Sequence, residues 1–198
     1  GISELDESRI GYSAFIEAKT PIADDIELTA ALRYENLDSG SSVDPKLALR
    51  WQASDMITIR ASASTAFRQP SLSQINAQIV QLVDIQDYNV DGTAQGGSAF
   101  RRVTQSGSSE LKAEESDNFN LGVIVTPNNS LDLKLDYWSV DYTDLITVED
   151  PQGKLLADIN GPDIVRTDTG ALSGIIVDYF NSSNVDVSGI DFESHWDF

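Results

Sequence analysis

Strict alternation of apolar and charged residues is the feature that most constrains how this chain can fold. Residues 131–137 read LDLKLDY, in which every odd position is apolar or aromatic and every even position is charged. That period places one set of side chains on each face of a β-strand. A soluble sheet packed on a protein core and a membrane barrel wall share the pattern, so the period alone leaves both open.

Strand-like stretches of this kind recur along the chain, and connections of two lengths separate them. The stretches are 11–20, 26–34, 46–51, 57–67, 118–126, 131–146, 174–180 and 185–198. Turn residues at 21–25, 53–55, 127–130 and 181–184 make short connections, whereas 36–42, 68–116 and 147–172 are long or polar. We therefore predict an all-β fold, an antiparallel up-and-down meander of about eight strands, with the short connections at one edge.

Segregated connections are typical of outer-membrane barrels, although a soluble up-and-down barrel would also show them. In a membrane barrel the charged face would line the interior; its members are Glu17, Lys19, Glu27, Arg33, Lys46, Arg50, Arg60, Asp132, Lys134 and Asp136. Aromatic girdles would form at the two interfaces. We predict Trp51 in one girdle and Tyr34, Phe67, Phe119, Tyr137 and Trp138 in the other.

Composition excludes several classes of function. The chain has 198 residues, with 32 acidic and 13 basic residues and a formal net charge of -19. This balance argues against nucleic acid as a partner, because phosphate neutralisation needs Lys and Arg. There is no cysteine, and His195 is the only histidine, so thiolate and multi-histidine metal sites cannot form. Adjacent acids have no diagnostic weight in so acidic a chain, and we predict no enzymatic activity.

Three stretches carry a resemblance to a known family. They are VDPKLALRWQASDMITIRASASTAFRQPSLSQ (43–74), LKAEESDNFNLGVIVTPNNSLDLKLDYWSVDYTDLI (111–146) and VDYFNSSNVDVSGIDFESHWDF (177–198). In that order they resemble the barrel of a TonB-dependent outer-membrane receptor. The resemblance implies a receptor in the outer membrane of a Gram-negative bacterium. Such a receptor binds a scarce nutrient, such as ferric siderophore, cobalamin or an oligosaccharide, and imports it with energy from the inner membrane.

The chain departs from the family in extent. Family barrels have about 22 strands around an N-terminal plug, and this sequence shows neither a plug nor enough strands. We therefore expect residues 1–198 to be a partial barrel domain that meets outer-membrane lipid, the plug and the remaining strands in its parent receptor. The strand ending at Phe198 is expected to run toward the long-loop edge. The isolated segment would expose sheet edges and could form an edge-to-edge homodimer.

The resemblance places the two long connections, 68–116 and 147–172, outside the cell, where they would capture a small nutrient ligand. Within them, cationic and aromatic side chains suit an anionic ligand such as a ferric chelate. The candidate contacts are Arg68, Tyr88, Phe100, Arg101 and Arg102. The identity of the ligand is not readable from the sequence.

Residues 87–92 (DYNVDG) match the first half of a calcium loop, with oxygen ligands offered by Asp87, Asn89 and Asp91 before a glycine. Ser98 stands where the bidentate Glu should be, which favours a polar loop tip instead, and we predict no cofactor. The alternative to the receptor is a soluble β-domain that binds carbohydrate or calcium, with the apolar faces packed inside.

Overall fold

The computed structural model of the protein describes residues 7–37, 40–182 and 184–197. The strands are β1 (Gly11–Ala23), β2 (Ile26–Leu37), β3 (Gly40–Ser54), β4 (Ile57–Arg68), β5 (Gln78–Ile85), β6 (Ala99–Ser106), β7 (Glu114–Asn128), β8 (Leu131–Thr143), β9 (Ile146–Val148), β10 (Ile164–Arg166), β11 (Leu172–Asn181) and β12 (Val185–Trp196). The helices are α1 (Leu72–Asn76) and α2 (Pro151–Ala157). Among the described residues, no helix is both long and apolar enough to cross a membrane.

The strands form two sheets that belong to two compact units. The meander sheet has the order β1-β2-β3-β4-β7-β8-β12, is antiparallel throughout, and lies in the unit made of residues 9–69, 113–145 and 183–198. The loop sheet has the order β10-β11-β6-β5, with β9 also paired to β11, and lies in the unit made of residues 1–8, 70–112 and 146–182. The predicted all-β antiparallel meander is confirmed for the first sheet.

One face of the meander sheet is apolar over the middle and the short-connection end of its strands, because the register aligns the apolar positions of neighbouring strands. Towards the long connections the same face becomes polar, in a row through Asp117, Asp141 and Asp186. A row near its middle runs through Leu28, Leu49, Ala61, Leu121, Tyr137 and Ile190. Large side chains of this face, including Leu49, Leu121 and Ile190, are exposed. Directly opposed residues share a face in an antiparallel sheet, so the register extends the pattern of residues 131–137 across all seven strands.

The opposite face of the meander sheet is polar and charged. One row runs through Glu27, Arg50, Arg60, Gly122, Asp136 and Asp191. Lys19 lies on this face beside Glu27, with 2.9 Å between Nζ and Oε1. All ten charged residues predicted to share one face do so in the observed register, and that prediction is confirmed.

Trp138 corrects the predicted aromatic girdle. It opposes Asn120 on one side and Gly189 on the other, which places its indole on the polar face. A Cβ added at Gly189 would lie 2.6 Å from the Trp138 ring, so the glycine leaves the space that the ring fills. Trp138 Nε1 donates to Asp191 Oδ2 at 3.0 Å. Because Tyr137 and Trp138 are adjacent on one strand, the period of two already requires their rings to face opposite ways, and the prediction of one shared girdle overlooked it.

Two predictions about the C-terminal part of the chain are wrong. The stretch 174–180 does not join the meander, since β11 pairs in parallel with β6 while β8 pairs directly with β12. The meander therefore has seven strands within the described residues, and β11 and β12 do not pair as the predicted hairpin. β12 also runs toward the end of the sheet where the short connections lie. Trp196 opposes Leu131, and Asp197 N donates to Ser130 O at 2.9 Å. Phe198 lies outside the described residues.

The connections predicted as long loops contain regular structure. α1 begins with a capping box in which Ser71 Oγ accepts from Gln74 N at 3.2 Å and Ser71 N donates to Gln74 Oε1 at 2.9 Å. α2 is capped at its N-terminus by Asp150, whose carboxylate accepts from Gly153 N at 2.7 Å. The polar stretch predicted at 36–42 is mostly strand, since β2 ends at Leu37 and pairs with Gly40 of β3.

The loop sheet has its own hydrophobic core. Its buried members are Ile85, Val103, Leu155, Leu172, Ile175 and Val177. They come from both long connections. The first contributes β5 and β6, and the second, which the structure extends to the whole segment between β8 and β12, contributes α2 and β11. β6 and β11 lie side by side with Val103 opposite Ile175, so the two connections form one packed unit rather than two separate loops.

Candidate functional site

The exposed face of the loop sheet brings together two of the five predicted ligand contacts. Phe100 and Arg102 are two residues apart on β6 and therefore point to the same face. Leu82 of β5 opposes Arg102, and Leu82 and Phe100 are 68% and 72% exposed. Within the described residues the Arg102 guanidinium has no hydrogen bond or ion pair. The result is an open patch with one unpaired cation beside exposed aromatic and aliphatic side chains, bordered by the carboxylate of Asp84, which opposes Phe100.

Tyr88 and Arg101 lie on the core side of the same unit. Tyr88 packs against the hydrophobic core and forms an isolated bridge with Ala94. Arg101 follows the alternation of β6 and shares a face with the buried Val103. Its Nε is buried and has no hydrogen-bond partner in the part of the chain that the structure describes. The adjacent arginines of the Arg101-Arg102 pair thus point to opposite faces, and Arg102 alone of the two is on the open patch.

Asp87 is held in an ion pair that links the two long connections. It is 3% exposed, and its Oδ2 and Oδ1 accept from Nη1 and Nη2 of Arg166, each at 3.0 Å. The backbone N–H groups of Tyr88 and Leu172 also donate to this carboxylate. Burial alone would raise the pKa of Asp87, but the hydrogen bonds and the charge of Arg166 outweigh it and hold the pKa below its usual value.

The other two residues of the candidate calcium loop are engaged with Thr93. Asn89 Nδ2 donates to Thr93 Oγ1 at 3.0 Å, and Asp91 Oδ1 accepts from Thr93 N and Oγ1 at 3.0 and 2.6 Å. These hydrogen bonds with Thr93 hold the pKa of Asp91 below its usual value. Among the described residues no group of three or more His, Cys, Asp or Glu could hold a metal ion. The geometry matches a polar loop tip better than a calcium loop.

Arg68, the remaining predicted contact, belongs to the meander sheet. It ends β4 and forms an ion pair with the buried Glu114 at the start of β7. It also lines a pocket of about 660 Å³ together with Arg9, Arg33 and Lys46. This pocket gathers four of the basic residues of an acidic chain, a clustering that the linear sequence did not reveal because the four come from different strands or lie outside them.

Cross-strand ion pairs organise the polar face of the meander sheet. Arg60 donates to Asp136 through Nε at 3.1 Å and Nη2 at 2.5 Å, over Gly122, and Lys134 Nζ lies 2.9 Å from Glu193 Oε1. A Cβ at Gly122 would lie 2.1 Å from Asp136 Oδ1. These ion pairs partly neutralise the charges of the polar face. A face of this kind suits contact with a water-filled interior rather than with lipid.

Lys154 anchors the second long connection and was not singled out from the sequence. Its Nζ contacts Glu149 and lies 2.9 Å from Asp163 Oδ2. Burial would lower the pKa of Lys154, but the hydrogen bonds and charges of the two acids outweigh it and raise the pKa. No sequence signal identified this cluster, because its members are separated by other acidic residues.

A seven-stranded antiparallel sheet with one exposed apolar face and one ion-paired polar face has the architecture of a transmembrane β-barrel wall. The sequence profile described as TonB dependent receptor-like, beta-barrel matches residues 4–198. The chain belongs to this family, as its resemblance had implied. No curated protein sequence matches the chain significantly.

Solved structures with the same fold include siderophore receptors. The ferric enterobactin receptor PfeA of Pseudomonas aeruginosa, in a mutant complexed with enterobactin, has a TM-score of 0.70 and 23% identity over 93% of this chain and 24% of its own. The siderophore receptor PirA of Acinetobacter baumannii has a TM-score of 0.68 and 21% identity over 96% of this chain and 26% of its own. The chain thus spans about a quarter of the length of these receptors, and at these identities the likeness shows the fold.

Proposed function

We propose that this chain is part of an outer-membrane receptor that takes up siderophore-bound iron. The meander sheet forms barrel wall in this proposal, with its apolar face on lipid and its polar face on the interior, where a plug domain would sit. The observation that carries the proposal is the register, which keeps exposed apolar rows and ion-paired rows on opposite faces of seven strands. Family membership supports the same assignment and argues against the soluble carbohydrate- or calcium-binding alternative.

In this proposal the loop sheet contributes to ligand capture outside the cell. Arg102 supplies an unpaired cation, and Phe100 and Leu82 supply exposed apolar contact on the same face. An anionic iron chelate with aromatic groups complements such a patch, through a charge-assisted hydrogen bond and ring contact. Cobalamin and neutral oligosaccharides would gain less from an interaction with the Arg102 cation. The proposed role of the site is to bind the ligand, without a catalytic step.

A binding measurement tests this assignment. The purified chain, folded in detergent, is titrated with ferric enterobactin, and the affinity of Arg102→Ala is compared with the unsubstituted chain. Loss of a charged hydrogen bond of about 1.5–3 kcal/mol would weaken binding roughly tenfold or more. Lys112→Ala is the matched control, because Lys112 is an exposed cation of the same unit. Equal weakening by both variants, or binding unaffected by either, contradicts the role of the Arg102 patch.

The edges of the meander sheet define the proposed protein partners. β1 and β12 each pair on one side only within the described residues. In the parent receptor these edges would pair with the remaining barrel strands, and in the isolated chain they would pair with a second copy. Light scattering in detergent should then show a dimer. A cross-link between cysteines introduced at exposed positions of β1 and β12 would establish which edges meet, and a strictly monomeric chain would refute edge pairing.

A further inference from the structure

The turn between α2 and β10 presents a chemically reactive asparagine. Asn160 is exposed, precedes Gly161, and is the only asparagine in the chain that is followed by glycine. Within the described residues the Asn160 side chain has no hydrogen bond, so its carboxamide is free to rotate. Its backbone N donates to Asp158 Oδ1 at 3.2 Å, and Gly161 N donates to Asp158 O at 3.1 Å.

We propose that Asn160 is a site of spontaneous deamidation that converts this turn to aspartate and isoaspartate. The Gly161 nitrogen attacks Asn160 Cγ, a new C–N bond closes a five-membered succinimide, and the Cγ–Nδ2 bond breaks. The nitrogen leaves as ammonia with the proton from the Gly161 N–H. Water then opens the ring at either carbonyl. Glycine favours the attack, because without a Cβ its nitrogen is accessible and its backbone is permissive.

The surroundings of the turn make the product structurally significant. The carbonyl of Ile159, just before Asn160, accepts from Arg166 Nη2 at 3.3 Å and Nε at 3.4 Å. On the other side, Gly161 O accepts from Ile164 N at 3.0 Å at the start of β10. An isoaspartate adds a methylene to the backbone between these two acceptors. The distance between these two carbonyl oxygens then changes. The hydrogen bonds from Arg166 to Ile159 O weaken, and with them the position of the guanidinium that pairs with Asp87.

A peptide-mapping experiment tests the site. The folded chain in detergent is incubated at mildly alkaline pH, digested at intervals, and analysed by mass spectrometry with fragmentation that separates aspartate from isoaspartate. We expect Asn160 to convert several-fold faster than any other asparagine, including Asn129 in its turn. Gly161→Ala is the control, because its Cβ would lie 3.3 Å from Asp158 atoms, which a small shift accommodates, and it should slow conversion several-fold. Conversion of Asn160 no faster than elsewhere, or unchanged in Gly161→Ala, overturns the proposal.

Hydrogen exchange tests the structural consequence. In aged protein the isoaspartate fraction should exchange faster at the amide of Ile164, which donates to Gly161 O, and at the amide of Leu172, which donates to Asp87. Asn160→Asp adds the charge without the extra methylene and should leave exchange near that of the starting protein. If the aspartate variant exchanges as fast as the aged protein, added charge rather than backbone lengthening is responsible and the backbone argument is refuted.

Discussion

Arginine at Leu47 should destabilise the chain in a bilayer, whereas arginine at its neighbour Ala48 should not. Leu47 is 53% exposed and lies on the apolar face between Ala30 and Ala63. Ala48 lies on the polar face between Thr29 and Ser62 and borders a pocket of about 370 Å³ that can accommodate a longer side chain. The two substitutions therefore place the same group on opposite sides of one strand.

The depth of Leu47 follows from the strand itself. Trp51, whose Nε1 donates to Asp25 Oδ2 at 2.9 Å, marks the short-connection interface, and Val43, opposite Tyr34, marks the other. The eight residue steps from 43 to 51 span roughly 26 Å along the strand, or roughly 20 Å along the bilayer normal at a tilt of about 40°. Leu47 is four steps from each end and so lies near the midplane, where arginine costs about 2–4 kcal/mol.

Urea unfolding in phospholipid vesicles, followed by tryptophan fluorescence, measures the difference. Leu47→Arg should lower the free energy of unfolding by about 2–4 kcal/mol relative to the unsubstituted chain. Leu47→Ala accounts for loss of the leucine side chain, and Ala48→Arg accounts for the arginine itself. If Leu47→Arg and Ala48→Arg cost the same, the apolar face does not meet lipid and the barrel-wall assignment is refuted.

Three further predictions concern the ion pairs and the candidate calcium loop. Asp87→Asn removes the carboxylate that pairs with Arg166, whose side chain is 17% exposed and keeps the carbonyl acceptors of Ile159 and Gly170. The loss of this pair should cost about 3–5 kcal/mol, seen as faster hydrogen exchange in the loop sheet, and the exposed control Asp84→Asn should not show it. Because its folded pKa is lowered, the contribution of Asp87 is present above the unfolded pKa of about 3.9 and is lost as pH falls through the folded value; acid titration by circular dichroism should lose this transition in Asp87→Asn. Gly122→Ala should break the Arg60–Asp136 ion pair that passes over this glycine, and should lower the free energy of unfolding in urea by about 1–3 kcal/mol. The control Gly97→Ala should be neutral, because a Cβ at Gly97 meets nothing within 4 Å. Added calcium should leave the melting temperature unchanged, and a rise would restore the calcium hypothesis.

The division of faces in the meander sheet could be predicted because it depends on a local period. Each strand carries its own alternation, and the register of an antiparallel sheet preserves it from strand to strand. The same period places Trp138 on the face of Asp136, opposite Tyr137, so its face also could have been predicted. Its partners could not, because Asp191, which accepts from Trp138 Nε1, is 53 residues away in sequence, and Gly189, which leaves space for the ring, is on the same distant strand.

The assignment of β11 had no distinctive local signal. Its three consecutive apolar residues at 175–177 are typical of a strand covered on both faces, but β7 carries an equal run at 123–125 and belongs to the meander sheet. The pairing of Asp87 with Arg166 likewise had no local signal. Their separation of 79 residues and the abundance of other acids hide the pair until the fold brings the two connections together.

Parallel pairing of β6 with β11 makes the two long connections dependent on each other. Parallel strands need an intervening crossover, and here the chain between β6 and β11 passes through β7 and β8 of the meander sheet. The first connection alone holds Ile85 and Val103 of the shared core, and the second alone holds Leu155, Leu172, Ile175 and Val177. Neither set can be buried without the other, because each supplies the surface on which the other packs. Removal of either connection should therefore unfold both, and a loss of ligand binding after such a deletion would not by itself identify which connection touches the ligand.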